Sequence, residues 1–161
     1  MMKRILMMFY VVLGLAMFSC GNGCGRKSCE QASEGKCGGA SCFGATAGQL
    51  AGITKAVEYY IDGGRKGDSR ITRQAFAQTA TMSWCENGVL KSVPIRTLYD
   101  IVDASGPATV FYEMTSCSVA DDVAVVRIES NFGEAKYSDM FTLVKDGDDW
   151  KILSKVYHKK P

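Results

Sequence analysis

VAVVRIESNF-GE-AKYSDMFTLV, from Val123 to Val144, is the stretch whose reading decides the fold. Two runs rich in β-branched and aromatic residues stand on either side of Gly133-Glu134. That composition favours extended backbone, and so short a connection can join only antiparallel neighbours. Working outward, Thr109 to Cys117 and Trp150 to His158 have the same character. Ala120-Asp121-Asp122 and Asp146-Gly147-Asp148 supply the turns that join them to the central pair. The C-terminal half therefore reads as a meander of four long strands.

Upstream the period changes. Leu50, Ile53, Val57, Tyr60 and Ile61 recur at helical spacing, and Gly63-Gly64 reads as the stop. Asp68 or Ser69 can cap a second, short helix carrying Ile71, Ala75 and Phe76. Thr81 to Cys85 and Val89 to Val93 flank Glu86-Asn87-Gly88, where Asn-Gly favours a tight hairpin turn. Pro94 suits the first turn of a third helix, with Ile95, Leu98, Tyr99 and Val102 on its apolar face. Helices followed by a strand meander predict an α+β fold: a cone-like, curved antiparallel sheet with about three helices on one face.

The start of the chain has a different logic. Met1-Met2-Lys3-Arg4 is basic, and Ile5 to Phe18 is an unbroken apolar run. A spanning helix needs about 20 apolar residues, so this shorter run has signal-peptide length. It ends at Met17-Phe18-Ser19-Cys20, which resembles a bacterial lipobox, with Phe18 bulkier than that pattern prefers. The resemblance implies a signal peptide over 1–19, lipidation (palmitate included) at Cys20, and a lipoprotein held on a membrane of the bacterial cell envelope. Either the periplasmic or the outer-membrane face is compatible, and the lipid bilayer becomes a partner.

Cys20 to Gly48 holds eight of the 17 glycines and five of the seven cysteines, with almost no large apolar residues. Residues 20–46 therefore read as a tether and 47–161 as a single folded domain. Cys24, Cys29, Cys37 and Cys42 are spaced C-x4-C-x7-C-x4-C. In an oxidising compartment that pattern points to disulfides, while a zinc module more often has C-x2-C knuckles. A bridge between Cys85 and Cys117 is a further option beside two separate buried thiols. Without Lys3 and Arg4 the 19 basic residues fall to 17, equal to the 17 acidic ones. No basic patch stands out, which argues against nucleic acid as a partner. The folded part has no nucleophile-base pair, phosphate-cradling glycine loop or histidine cluster, so no cofactor and no metal site is expected.

Val57-Glu58-Tyr59-Tyr60-Ile61-Asp62-Gly63, Gly67-Asp68, Phe76 and Ala80 come in an order similar to the helical half of nuclear transport factor 2-like domains. Asp122-Val123-Ala124-Val125-Val126, Asp139 to Lys145, Trp150-Lys151-Ile152 and Lys155-Val156-Tyr157-His158 continue it. Together they resemble the Putative lumazine-binding family, related to the polyketide-cyclase-like proteins, over Ile53 to His158. Relatives often carry a histidine just after the phenylalanine of the second helix, whereas Phe76 is followed here by Ala77-Gln78. The resemblance implies a pocket between sheet and first helix, and a small apolar or aromatic ligand.

Five residues are candidates for that pocket: Tyr60, Trp84, Tyr112, Asp139 and His158. Tyr60 can donate its phenol to a ligand oxygen or simply fill the core. Asp139 alternates with Tyr137, Phe141 and Leu143; inward it would be a desolvated base, and one residue of register slip would turn it to solvent. Trp84 can stack on a flat ligand or pack, and Tyr112 lies on the first strand of the meander. His158 follows Val156 and Ile152 on one face but, two residues before the basic tail, reads as exposed rather than catalytic. Three functions fit: a binding domain, an interaction module pairing through its sheet face (a homodimer included), or an isomerase or cyclase with Asp139 as base and Tyr60 as donor.

Overall fold

A computed structural model describes residues 36–37 and 40–161. Signal peptide, lipidation site Cys20, and Cys24 and Cys29 lie outside the described residues. The elements are β1 (Lys36–Cys37), β2 (Ala40–Phe43), α1 (Ala47–Lys66), α2 (Ser69–Ala75), β3 (Phe76–Glu86) and β4 (Val89–Pro94). They continue as α3 (Arg96–Ser105), β5 (Val110–Ala120), β6 (Val123–Phe132), β7 (Ala135–Asp146) and β8 (Asp149–Lys159). The strands form one sheet in the order β1-β2-β5-β6-β7-β8-β3-β4. The fold is α+β, and the predicted meander is its centre: β5, β6, β7 and β8 pair antiparallel in succession. Two pairings are parallel, β3 with β8 and β2 with β5, so the sheet is mixed where an antiparallel one was expected. β2 lies within the stretch read as tether, and Ala45 is already buried, so the sheet begins ahead of residue 47.

Helix α1 starts on a capping box, in which the Thr46 side chain accepts from the Gln49 amide while Gln49 reaches back to the Thr46 backbone. Its buried stripe includes Leu50, Ile53, Ala56, Val57, Tyr60 and Ile61, the predicted face. The predicted stop at Gly63-Gly64 is wrong: the helix runs on to Lys66 and ends at Gly67, whose φ of 60° is the left-handed cap. The two glycines are there for contact. A Cβ on Gly63 would meet Thr72 Oγ1 at 1.9 Å, and one on Gly64 would meet the Phe132 ring at 2.4 Å. They let α2 and the end of β6 close onto α1. Asp68 caps α2, accepting from the Arg70 amide. Pro94 closes β4 instead of opening α3, whose cap position is Ile95.

Inner positions of β5 to β8 and the helix faces share one core, with Ile53, Ile61, Val126, Ile128, Phe141, Leu143 and Ile152 fully buried. The alternation is not continuous. Leu143 pairs with Ile152 but Thr142 with Ser154, so Leu153 is an extra residue in β8. Before it Trp150 and Ile152 point inward; after it Lys155 does, with Tyr157 partly buried beyond, while Leu153, Val156 and His158 are exposed. The expected common face for Ile152, Val156 and His158 is therefore broken by this bulge. The optional Cys85–Cys117 bridge is excluded by topology, because β8, β7 and β6 separate β3 from β5. Cys42 sits instead at the register position of Cys117.

Candidate functional site

Asp139 settles the side on which β7 faces inward: it is fully buried between inward-facing Tyr137 and Phe141. Its neighbours follow from register. Ile128 of β6 is directly opposite, which puts Ser130 on the diagonal, and on β8 the diagonal from Asp139 is Lys155, the partner of Phe141. Ser130 Oγ donates to Asp139 Oδ2 at 2.8 Å, and Tyr60 Oη from α1 reaches the same oxygen at 3.5 Å. Lys155 Nζ is in ion contact with Oδ1, with both side chains almost wholly out of solvent. One carboxylate thus gathers a serine, a phenol and an ammonium at the middle of the sheet.

Around Lys155 the surroundings are aromatic. Its Nζ lies 4.3 Å from the Tyr157 ring centroid, 5.4 Å from that of Tyr60 and 6.0 Å from that of Phe141. Burial lowers its pKa, opposed by the charge of Asp139 and its hydrogen bond. Burial, and then the Asp139 charge, push the Tyr60 phenol well above its ordinary value. Tyr137 and Tyr157 are also raised, chiefly by burial. Near neutrality these phenols keep their protons and serve as donors.

A cavity of about 340 Å³ opens above this cluster. Its walls come from α1 (Tyr60, Gly64), α3 and its end (Leu98, Ile101, Val102, Ser105, Gly106), and the sheet (Met82, Phe132, Tyr137, Tyr157), with Ala108 and Ala135 at the edge. The lining is mostly apolar, and Lys155 is the charged side chain within it. Asp139 is not in the lining; it lies beneath Lys155. The volume is at the small end of ligand pockets, room for a molecule of one or two rings.

Of the five candidates, Tyr60 lines the cavity and Asp139 supports its floor. Trp84 stacks on the lining residue Tyr157, with centroids 5.6 Å apart, and so acts one layer back. Tyr112 is half-buried on β5 and does not reach the lining, and His158 is exposed beyond the bulge. Lys155 was missed. Alternation counted from Trp150 and Ile152 puts it on the outer face, and only the extra residue at Leu153 turns it inward. Among the described residues no cluster could hold a metal ion, and no helix is long and apolar enough to cross a membrane.

Comparison with known proteins agrees with this geometry. The sequence model of the Putative lumazine-binding family matches residues 49–158. A nuclear transport factor 2-like protein of unknown function from Shewanella baltica superposes with a TM-score of 0.67 at 29% identity, covering 73% of this chain and 98% of that one. Another, from Methylobacillus flagellatus, gives 0.67 at 28% identity, with 74% and 98% covered. Among curated proteins, one named Aldolase FrzH from a Cladobotryum species is 26% identical over 105 residues, which span 63% of this chain and 84% of that protein.

Proposed function

This chain belongs to the Putative lumazine-binding family, and from that premise we propose that its domain binds one small, flat molecule by a carbonyl oxygen. The observation that carries the proposal is Lys155 at the floor of an apolar cavity, neutralised from below by Asp139. An ammonium has three donors. With Asp139 taking its charge, a remaining N–H favours a neutral acceptor over a second carboxylate. The aromatic walls suit a ring, and the phenols of Tyr137 and Tyr157 add donors at its edge. The same reading places the domain on a lipid-anchored protein of the bacterial envelope, supported by the apolar run that ends at Cys20.

Benzamide and ethylbenzene, matched rings with and without the carbonyl, test the reading by quenching of Trp84 fluorescence through its stacked partner Tyr157. A hydrogen bond to a charged donor contributes about 1.5–3 kcal/mol, so benzamide should bind roughly 10- to 100-fold tighter. Equal affinity for the two would overturn the carbonyl assignment. A second reading, catalysis on the carbonyl compound, is favoured by the buried Lys155–Asp139 pair and supported by the similarity to a protein named an aldolase.

A further inference from the structure

We propose that Lys155 is a nucleophile which condenses with an aldehyde or ketone in the cavity to form an imine, with Asp139 holding the proton that the amine gives up. The inference rests on the pocket reading above and goes beyond it, from holding a carbonyl to reacting with it.

Three observations lead there. Lys155 is 3% exposed, and what exposure it has opens on the cavity. A buried ion pair is an expensive way to fill a core, since apolar residues of similar volume hold a fold as well or better. A cation kept at a pocket floor therefore points to use. Asp139 touches Lys155 and is not itself part of the cavity wall, so it can take a proton without competing for the ligand. Ser130 and Tyr60 both donate to Oδ2 and leave Oδ1 to the lysine. Burial also favours the neutral amine, the form that attacks.

The step balances without a co-reactant. The Lys155 ammonium passes a proton to Asp139. The free amine pair then attacks the carbonyl carbon, forming the N–C bond while the C=O π pair moves to oxygen. That oxygen takes a proton from the attacking nitrogen, giving a carbinolamine. Asp139 returns its proton to the nitrogen, which passes one on to the hydroxyl; water leaves as the C–O bond breaks, and the protonated imine that remains faces the Asp139 carboxylate. Lys155 is then the catalytic residue, and Asp139, acting through it, the positioning one.

The test uses the full chain with benzaldehyde and sodium cyanoborohydride, which fixes an imine as a benzylated amine, followed by peptide mapping. The titratable groups facing Lys155 are Asp139 beneath it and Tyr60 and Tyr157 beside it, both phenols protonated near neutrality. Near pH 7 Lys155 should be benzylated faster than exposed lysines such as Lys91 and Lys136, because the cavity holds the ring beside it and burial favours its free amine. Its rate should level off at lower pH than theirs. Benzamide should protect Lys155 alone. The K155R variant, which has no amine to condense, should lose the fast-labelled site while the surface lysines label as before. If benzamide binds while Lys155 labels no faster than surface lysines, the imine proposal falls and the pocket reading stands. If benzamide neither binds nor protects, both fall.

Discussion

Replacing Asp139 by asparagine isolates what the buried pair contributes, because the side chain keeps its shape and loses its charge. In the folded protein Asp139 Oδ1 meets Lys155 and Oδ2 accepts from Ser130 at 2.8 Å. The amide oxygen of asparagine can keep the serine bond, so the change falls almost entirely on the lysine. Removing one partner of a buried ion pair typically costs about 3–5 kcal/mol, because the other charge is left uncompensated. Lys155 can relieve part of this by shedding its proton, since burial already lowers its pKa and the two opposing effects both come from Asp139. A net loss of about 3 kcal/mol, roughly 10 °C in midpoint for a domain of this size, is the expected result in thermal and urea unfolding. The pH dependence gives a sharper signature. In the variant the unfolded lysine keeps its proton while the folded one gives it up, so unfolding takes up protons. Stability then rises with pH between the lowered folded pKa of Lys155 and its unfolded value of 10.5, and the gap to the native protein should narrow over that range. An apolar double variant, D139L with K155M, should recover part of the loss, the remainder being the buried Ser130 and Tyr60 hydroxyls left without their acceptor. A loss below about 1 kcal/mol in D139N, or a gap that widens with pH, would refute the reasoning that the pair is desolvated and mutually dependent.

Other predictions follow from other parts of the fold. Gly63→Ala puts a Cβ against Thr72 Oγ1, and urea unfolding should register a loss of about 1–3 kcal/mol from overpacking; an unchanged or higher midpoint would remove the close-contact account. Partial desolvation raises the Glu129 pKa, but hydrogen bonds from Lys160, Ser138 and Arg127 outweigh it and hold the carboxyl at about 2. Its folded pKa is depressed, so its contribution is complete above the unfolded value near 4.5 and is lost as pH falls toward 2; E129Q should flatten acid unfolding across that window. Cys20→Ala should abolish acylation, read as a missing acyl mass, and a variant still acylated would disprove the lipobox reading. Pairing of two copies through the sheet predicts that M140E, on the exposed outer face beside Val156, halves the mass seen by light scattering; a native protein already monomeric at that concentration contradicts it.

The sequence made the architecture legible where local chemistry and tertiary packing agree. The strand meander, the Thr46-to-Ile61 face of α1, the Asp68 cap and the Asn87-Gly88 turn all have their causes within a few residues. It misled where a residue answers to something distant. Gly63 and Gly64 look like a stop because glycine disfavours helix; their reason is Thr72 and Phe132, which no local pattern reveals. Half of the site was visible for the same reason that half was hidden. Tyr60 and Asp139 stand on unbroken periodicities, helical and alternating, and their facing could be posed as a question with two answers. Lys155 stands beyond a single extra residue, Leu153, and every alternation count that crosses it returns the wrong face. The same error put His158 in line with Ile152, although its place before the basic tail already reads as exposed. Yet the composition held a signal that alternation did not. A carboxylate between Tyr137 and Phe141 on an inward-facing row requires a buried cationic or donor partner. On the adjoining strand, Lys155 is the cation at the register from which a long side chain can reach it. Read as a demand for a partner, the buried Asp139 would have predicted the bulge itself, since only an extra residue on β8 brings that lysine inside.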